Sequence, residues 1–176
     1  NLSNVNVIMQ GLNNNNGDQI KSQTQLDVYN ETYGWNGSLT HGGGFENGKM
    51  YMMKISEPGR ISLIGQQADL AQTISLQEGW NWLGYLPKFN MTVNEAFSGM
   101  NPSSGDIVKS KLAFAMYEEG LGWSGSLRYL SPGEGYLYQA AEALGLKYPK
   151  VSLLNGRIQK EQLDTEDLPW AVSEHK

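Results

Sequence analysis

Two aspartates (Asp18, Asp106), two glutamates (Glu31, Glu119) and two tryptophans (Trp35, Trp123) occur in this chain in matching surroundings. Paired carboxylates do general acid–base work when their environments drive their pKa values apart, and glycosidases need two of them at a defined separation. An indole beside glycine and serine offers a flat face for a sugar ring, with Asn36, Ser38, Ser124 and Ser126 supplying hydrogen bonds. The ligand-binding candidates are therefore Trp35, Trp123, Ser38 and Ser126. The competing expectation is that each Trp is the main core residue of its surroundings, since an indole buries on the order of 200 Å². Exposure of both rings below about a tenth would end the stacking version.

The catalytic readings are weaker. Asp18 and Asp106 each follow Gly and open an extended run, a place where Asp makes side-chain-to-backbone turns. Neither lies in Asp-Thr-Gly or Asp-Ser-Gly. Lys21 and Lys109 are placed to pair with them at the surface, which contributes little. Glu118 and Glu119 sit at an expected hairpin bend, where Asn30 replaces Glu118 in the other context, so both read as solvated turn residues. His41 and His175 are the only histidines, and neither has a counterpart. There is no Gly-x-Ser-x-Gly elbow, no cysteine and no zinc ligand set. The stretch 13–18, Asn-Asn-Asn-Asn-Gly-Asp, is oxygen-rich but lacks the acidic spacing of an EF-hand. His41-Gly42-Gly43-Gly44 is not a phosphate loop. No catalytic residue, metal or cofactor is expected, and the chain reads as not an enzyme.

The elements that must hold these residues follow from a repeat. At an offset of 88 residues, 17–39 (GDQIKSQTQLDVYNETYGWNGSL) lies on 105–127 (GDIVKSKLAFAMYEEGLGWSGSL) without a gap. Gly17, Asp18, Lys21, Ser22, Tyr29, Glu31, Gly34, Trp35, Gly37, Ser38 and Leu39 all recur. Repeats of this kind mean duplicated structural units. In the second copy, Ile74–Leu76 and residues 79–86 read as strands joined at Gln77-Glu78. Trp80 and Trp82 share one face by their period of two and are expected in the core. Thr92 with Glu95 has capping-box spacing for a short helix. Residues 107–118, 123–130 and 135–139 read as three further strands. The expected class is mainly β (α+β), two homologous β-rich modules, each with one short helix between its first and second strands. The boundaries read are 1–56 for a first module lacking its opening strand, 57–73 for a connector, 74–149 for the second module, and 150–176 for a tail leading towards a further domain.

Composition narrows the partners. The 176 residues carry 13 Lys plus Arg against 18 Asp plus Glu, with a net charge of −5. No basic stripe is available for a phosphate backbone, so nucleic acid is not an expected partner. No apolar run approaches the roughly 18 residues of a membrane span.

The chain of phrases Gly79-Trp80-Asn81-Trp82, Gly105 to Ser110 (GDIVKS), Gly122 to Leu127 (GWSGSL) and Leu130 to Tyr136 (LSPGEGY) resembles a module found in tandem in large secreted and cell-surface bacterial proteins, of Bacteroidetes especially. The first copy matches through GDQIKSQ (17–23) and GWNGSL (34–39) but departs at its close, ENGKMY (46–51), which lacks proline. The stretch Pro169 to His175 resembles the lead-in to another domain of such proteins. The resemblance implies an exported, extracellular or cell-surface location and a structural or adhesive role. Its implied partners are other domains of the same polypeptide and a glycan or protein at the surface. It supplies no active-site residue. A carbohydrate-binding module using exposed aromatics is the first alternative, and a glycoside hydrolase fragment the second.

Overall fold

The computed structural model describes residues 4–62, 65–154 and 157–160. The elements of the first copy are α1 (Val5–Met9), β1 (Gln19–Lys21), β2 (Leu26–Asn30), β3 (Gly34–Gly37), α2 (Ser38–His41) and β4 (Met52–Lys54). Then come β5 (Ile74–Leu76), β6 (Gly79–Gly84), β7 (Met91–Thr92), α3 (Val93–Ala96), β8 (Ile107–Lys109) and β9 (Phe114–Glu118). The chain continues through β10 (Gly122–Gly125), β11 (Tyr129–Leu130), β12 (Gly135–Ala140), β13 (Leu144–Leu146), β14 (Val151–Leu154) and β15 (Arg157–Lys160). The fold is mainly β, with antiparallel sheets and a few short helices, as the glycine and aromatic content leads one to expect.

The two larger sheets run β3-β2-β1-β4 and β10-β9-β8-β12-β6. Their registers repeat with the sequence. Gln19 lies opposite Val28 and Tyr29 opposite Trp35 in the first copy. Ile107 opposite Met116 and Tyr117 opposite Trp123 are the same pairs one copy later.

Local chemistry explains why both copies fold alike. Thr92 and Glu95 form the capping box that starts α3, satisfying backbone N–H groups that a helix leaves open. Asn94 then accepts from the N–H of Trp123 at 2.8 Å and donates to its carbonyl at 3.1 Å. Asn6 does the same for Trp35, at 2.7 and 3.0 Å. One carboxamide thus replaces the neighbouring strand that β3 and β10 lack, closing an edge that would otherwise template another chain. The approach is close enough to specify glycine next door. A Cβ on Gly34 or Gly122 would sit 2.5 or 2.6 Å from the asparagine oxygen, and both residues have positive φ (72° and 80°). The repeated Gly-Trp pair is one half of an asparagine clasp.

Each copy condenses around its own Trp. Trp35 packs with Val5, Ile8, Met9, Ile20 and Leu39. Trp123 lies in a larger core with Phe97 and Tyr138, ring centroids 5.3 and 5.7 Å away.

The strand β6 joins the copies. Along one edge it pairs with β12 from Gly84 to Gly79. Its other edge receives the first copy: the N–H of Gly84 donates to the Gly48 carbonyl (2.9 Å) and the N–H of Met50 to that of Trp82 (3.2 Å). The Gln23 side chain extends this ladder, donating to the Trp80 carbonyl at 2.8 Å and accepting from the Trp82 N–H at 3.0 Å.

Several expectations need correction. Residues 107–118 are not one extended run but the hairpin β8–β9, because the Ser110 hydroxyl accepts from the N–H of Ala113 and turns the chain without Gly or Pro. The run 123–130 likewise breaks between β10 and β11. The strand β5 pairs with β13, not with its sequence neighbour β6. The first copy holds a second helix, α2, because the Asp27 carboxylate accepts from the N–H groups of Leu39 and Thr40 and from the Thr40 hydroxyl. Ala115 stands at the corresponding place in the second copy, and there the Leu127 N–H turns to the Phe114 carbonyl instead. Finally, Trp80 and Trp82 are not core. Their partners in alternation, Asn81 and Leu83, face inward, and Trp80 is 42% exposed. The residues around His175, with Pro169 to His175, lie outside the described residues.

Candidate functional site

The proposed stacking rings turn out to be interior. Trp35 is 2% exposed and Trp123 8%, so neither offers a face to a sugar, and the ligand-binding expectation for them is withdrawn. Ser38 and Ser126 are exposed, but their hydroxyls close the same turn in each copy: they accept from the N–H of Leu26 (2.9 Å) and of Phe114 (3.2 Å).

The repeated carboxylates are equally committed. Asp18 is buried and accepts from the N–H of Asn15 and from both the N–H and hydroxyl of Ser56, at 3.0, 2.8 and 2.6 Å. Burial pushes its pKa up, but the Ser56 and Asn15 hydrogen bonds and the nearby Lys54 outweigh this and hold it below the ordinary carboxylate value. Asp106 is buried too, accepting from the N–H of Ser103 (3.2 Å), the N–H of Ala141 (2.7 Å) and the Tyr138 hydroxyl (2.7 Å). Each Asp ties the turn before its strand to the chain that returns after the last strand. Glu31 and Glu119 are exposed at turns. His41 is exposed and paired with Asn36 at 2.9 Å. No group of three or more metal-ligating side chains occurs among the described residues.

Between the copies lies a cleft of about 400 Å³, lined by Gln23, Glu46, Lys49, Gln72, Gln77 and Asn81 among others. Its most central amides already serve the scaffold. Gln23 holds β6, and Asn81 is buried and bonded to the backbone of Gln77 and Gly79. At the rim Glu46 and Lys49 neutralise each other at 2.7 Å.

A different surface gathers uncommitted side chains. The outward positions of β8, β9, β12 and β6 carry Ile107, Lys109, Phe114, Met116, Leu137, Gln139, Trp80 and Trp82, and those of the first copy carry Lys21, Leu26, Val28 and Met52. Phe114, Met116, Trp80, Leu26, Val28 and Met52 are all more than a third exposed. The centre of this face is β6. The Lys109 ammonium lies 4.5 Å from the centroid of the Trp80 ring and that of Lys21 lies 5.7 Å from Trp82, within the range of cation–π attraction. These two lysines, expected to pair with Asp18 and Asp106, instead converge from the two copies on adjacent indoles of one strand.

Sequence reasoning missed this site although its signal was present. The alternation Trp80, Trp82 marks a shared face, but only the inward neighbours decide which face. Asn81 made the inner one look polar. Comparisons of the chain with protein-family models, with curated proteins and with solved structures gave no match.

Proposed function

We infer that this chain is a structural or adhesive repeat unit of a larger extracellular bacterial surface protein, the class whose tandem phrases it resembles, and that it performs no catalysis. One observation carries the reading: the aspartates, serines and indoles kept by the duplication serve the scaffold. Asp18 and Asp106 bind loop backbone, Ser22 and Ser110 close hairpins, Ser38 and Ser126 close turns, and the indoles fill cores. A duplicated enzyme would be expected to keep an acid, a base or a nucleophile within a cleft, whereas the kept Glu31 and Glu119 stand exposed at turns. Joining through β6 further suits a unit whose task is to extend and present a surface.

Two measurements test this. Protease shaving of intact cells making the native protein should release fragments of this chain; fragments appearing only after lysis would refute surface display. A panel of polysaccharides and aryl glycosides incubated with the purified chain should show no turnover, and hydrolysis abolished by substituting a single carboxylate would refute the non-catalytic reading.

A further inference from the structure

We propose that the outward face centred on β6 binds an anionic polysaccharide across the junction of the two copies, with Trp80 and Trp82 as stacking platform and Lys21 and Lys109 as the cations that meet its carboxylates. The proposal rests on the adhesive half of the reading above and gives it a ligand class.

The platform comes from β geometry. Trp80 and Trp82 are two apart on one strand, so their attachment points lie about 7 Å apart on the same face. Indole faces are electron-rich and attract the C–H face of a pyranose. Ile107, Met116, Phe114 and Leu137 continue the apolar surface to one side, Met52, Leu26 and Val28 to the other.

Charge selects an acid. The whole chain has net charge −5, yet the outward strand positions of the two large sheets carry Lys21, Lys54 and Lys109 against one acid, Glu118, at the end of β9. Lys21 and Lys109 lie against indoles and make no ion pair with a described carboxylate, so their charge is left for a ligand. A polyanion is therefore repelled by much of the surface and drawn to this face.

The edges argue against a peptide. A strand-adding peptide needs open backbone, and the edges of β3, β10 and β6 are occupied at Trp35, Trp123 and Trp80–Trp82 by the amides of Asn6, Asn94 and Gln23, which leaves at this junction only the outer edge of the three-residue strand β4. What this face offers is rings and cations, which is the complement of a charged sugar chain. Since one lysine comes from each copy, the site exists only where two copies are joined.

The test uses the purified chain with polygalacturonate, alginate and hyaluronan, followed by indole emission and titration calorimetry. Methyl-esterified homogalacturonan and poly-glutamate serve as controls. At least one acidic glycan should bind saturably with a change in emission, and raised salt should weaken it. Trp80→Ala and Trp82→Ala should each weaken binding at least tenfold, Trp80→Phe less, and Lys21→Gln or Lys109→Gln several-fold, with thermal melts unchanged for the lysine variants. The esterified polymer should bind at least tenfold more weakly, and poly-glutamate should leave the emission unchanged. Failure of all three acidic glycans, binding that survives loss of both indoles, equal binding of the esterified chain, or equal binding of poly-glutamate would each overturn the proposal. The assay is independent of where the protein resides, so its failure is separable from failure of cell shaving.

Discussion

Removing the hydroxyl of Tyr138 isolates the contribution of the buried Asp106 carboxylate. Asp106 is 1% exposed and Tyr138 fully buried, and their hydrogen bond is 2.7 Å. A hydrogen bond to a charged group contributes about 1.5–3 kcal/mol net. Tyr138→Phe deletes one such bond but leaves Asp106 with the N–H groups of Ser103 and Ala141, so the expected cost is about 2 kcal/mol. Asp106→Asn is harsher, since its NH2 group must face at least one of three donors. It should cost about 3–5 kcal/mol, a large part of the roughly 5–15 kcal/mol that holds a domain folded. The double variant should cost less than the sum of the singles by at least about 1 kcal/mol, because either change alone removes the charge-assisted part of the shared bond. Urea unfolding followed by indole emission measures all three, with Trp123 as reporter at 5.7 Å from the Tyr138 ring. A Tyr138→Phe cost below about 0.5 kcal/mol, or single costs that add to within about 0.3–0.5 kcal/mol, would refute the claim that Asp106 is a structural hub.

Other outcomes follow from the same geometry. Asn94→Ala should lower stability by about 1–3 kcal/mol by freeing two backbone groups of Trp123, and sedimentation should show new association through the opened β10 edge; Asn6→Ala should act likewise on Trp35. Gln23→Ala should loosen the junction, seen as faster proteolysis within 57–73, while each core keeps its protection against hydrogen exchange. Burial raises the pKa of Tyr85, Tyr136, Tyr138 and Tyr148 above the ordinary 10.0. These groups therefore support the fold fully below pH 10 and lose that support as pH climbs towards their folded values, so phenolate absorbance should rise together with alkaline unfolding. The Asp18 pKa is lowered from 3.8. Its contribution is present above that pH and falls away as acid protonates it, and Ser56→Ala should shift the acid transition upward.

The fold was legible where backbone constraint leaves a mark in residue type. Glycines at positive φ, the Thr92–Glu95 box and the indoles announced two related units. What stayed hidden was long-range. Nothing near Ile74–Leu76 signals that its partner is Leu144–Leu146. The turn at Ser110 is made by a hydroxyl where glycine or proline would be sought. The candidate face was missed because a tryptophan is assumed to need burial, and a buried asparagine such as Asn81 becomes affordable only when backbone groups as distant as Tyr138 are in reach. The carboxylates carried a readable turn signal, but their partners Ser56 and Ala141 are 38 and 35 residues away.

The Gln23 bridge has a grammar of its own. A carboxamide offers a donor and an acceptor side by side, which is how a peptide group presents itself to the next strand. The second copy has Lys111 at the corresponding position, and an ammonium can give hydrogen bonds but receive none. The second copy thus lacks the side-chain rung with which the first holds β6, and only backbone groups like those of Gly48 and Met50 remain to it for holding a neighbouring strand.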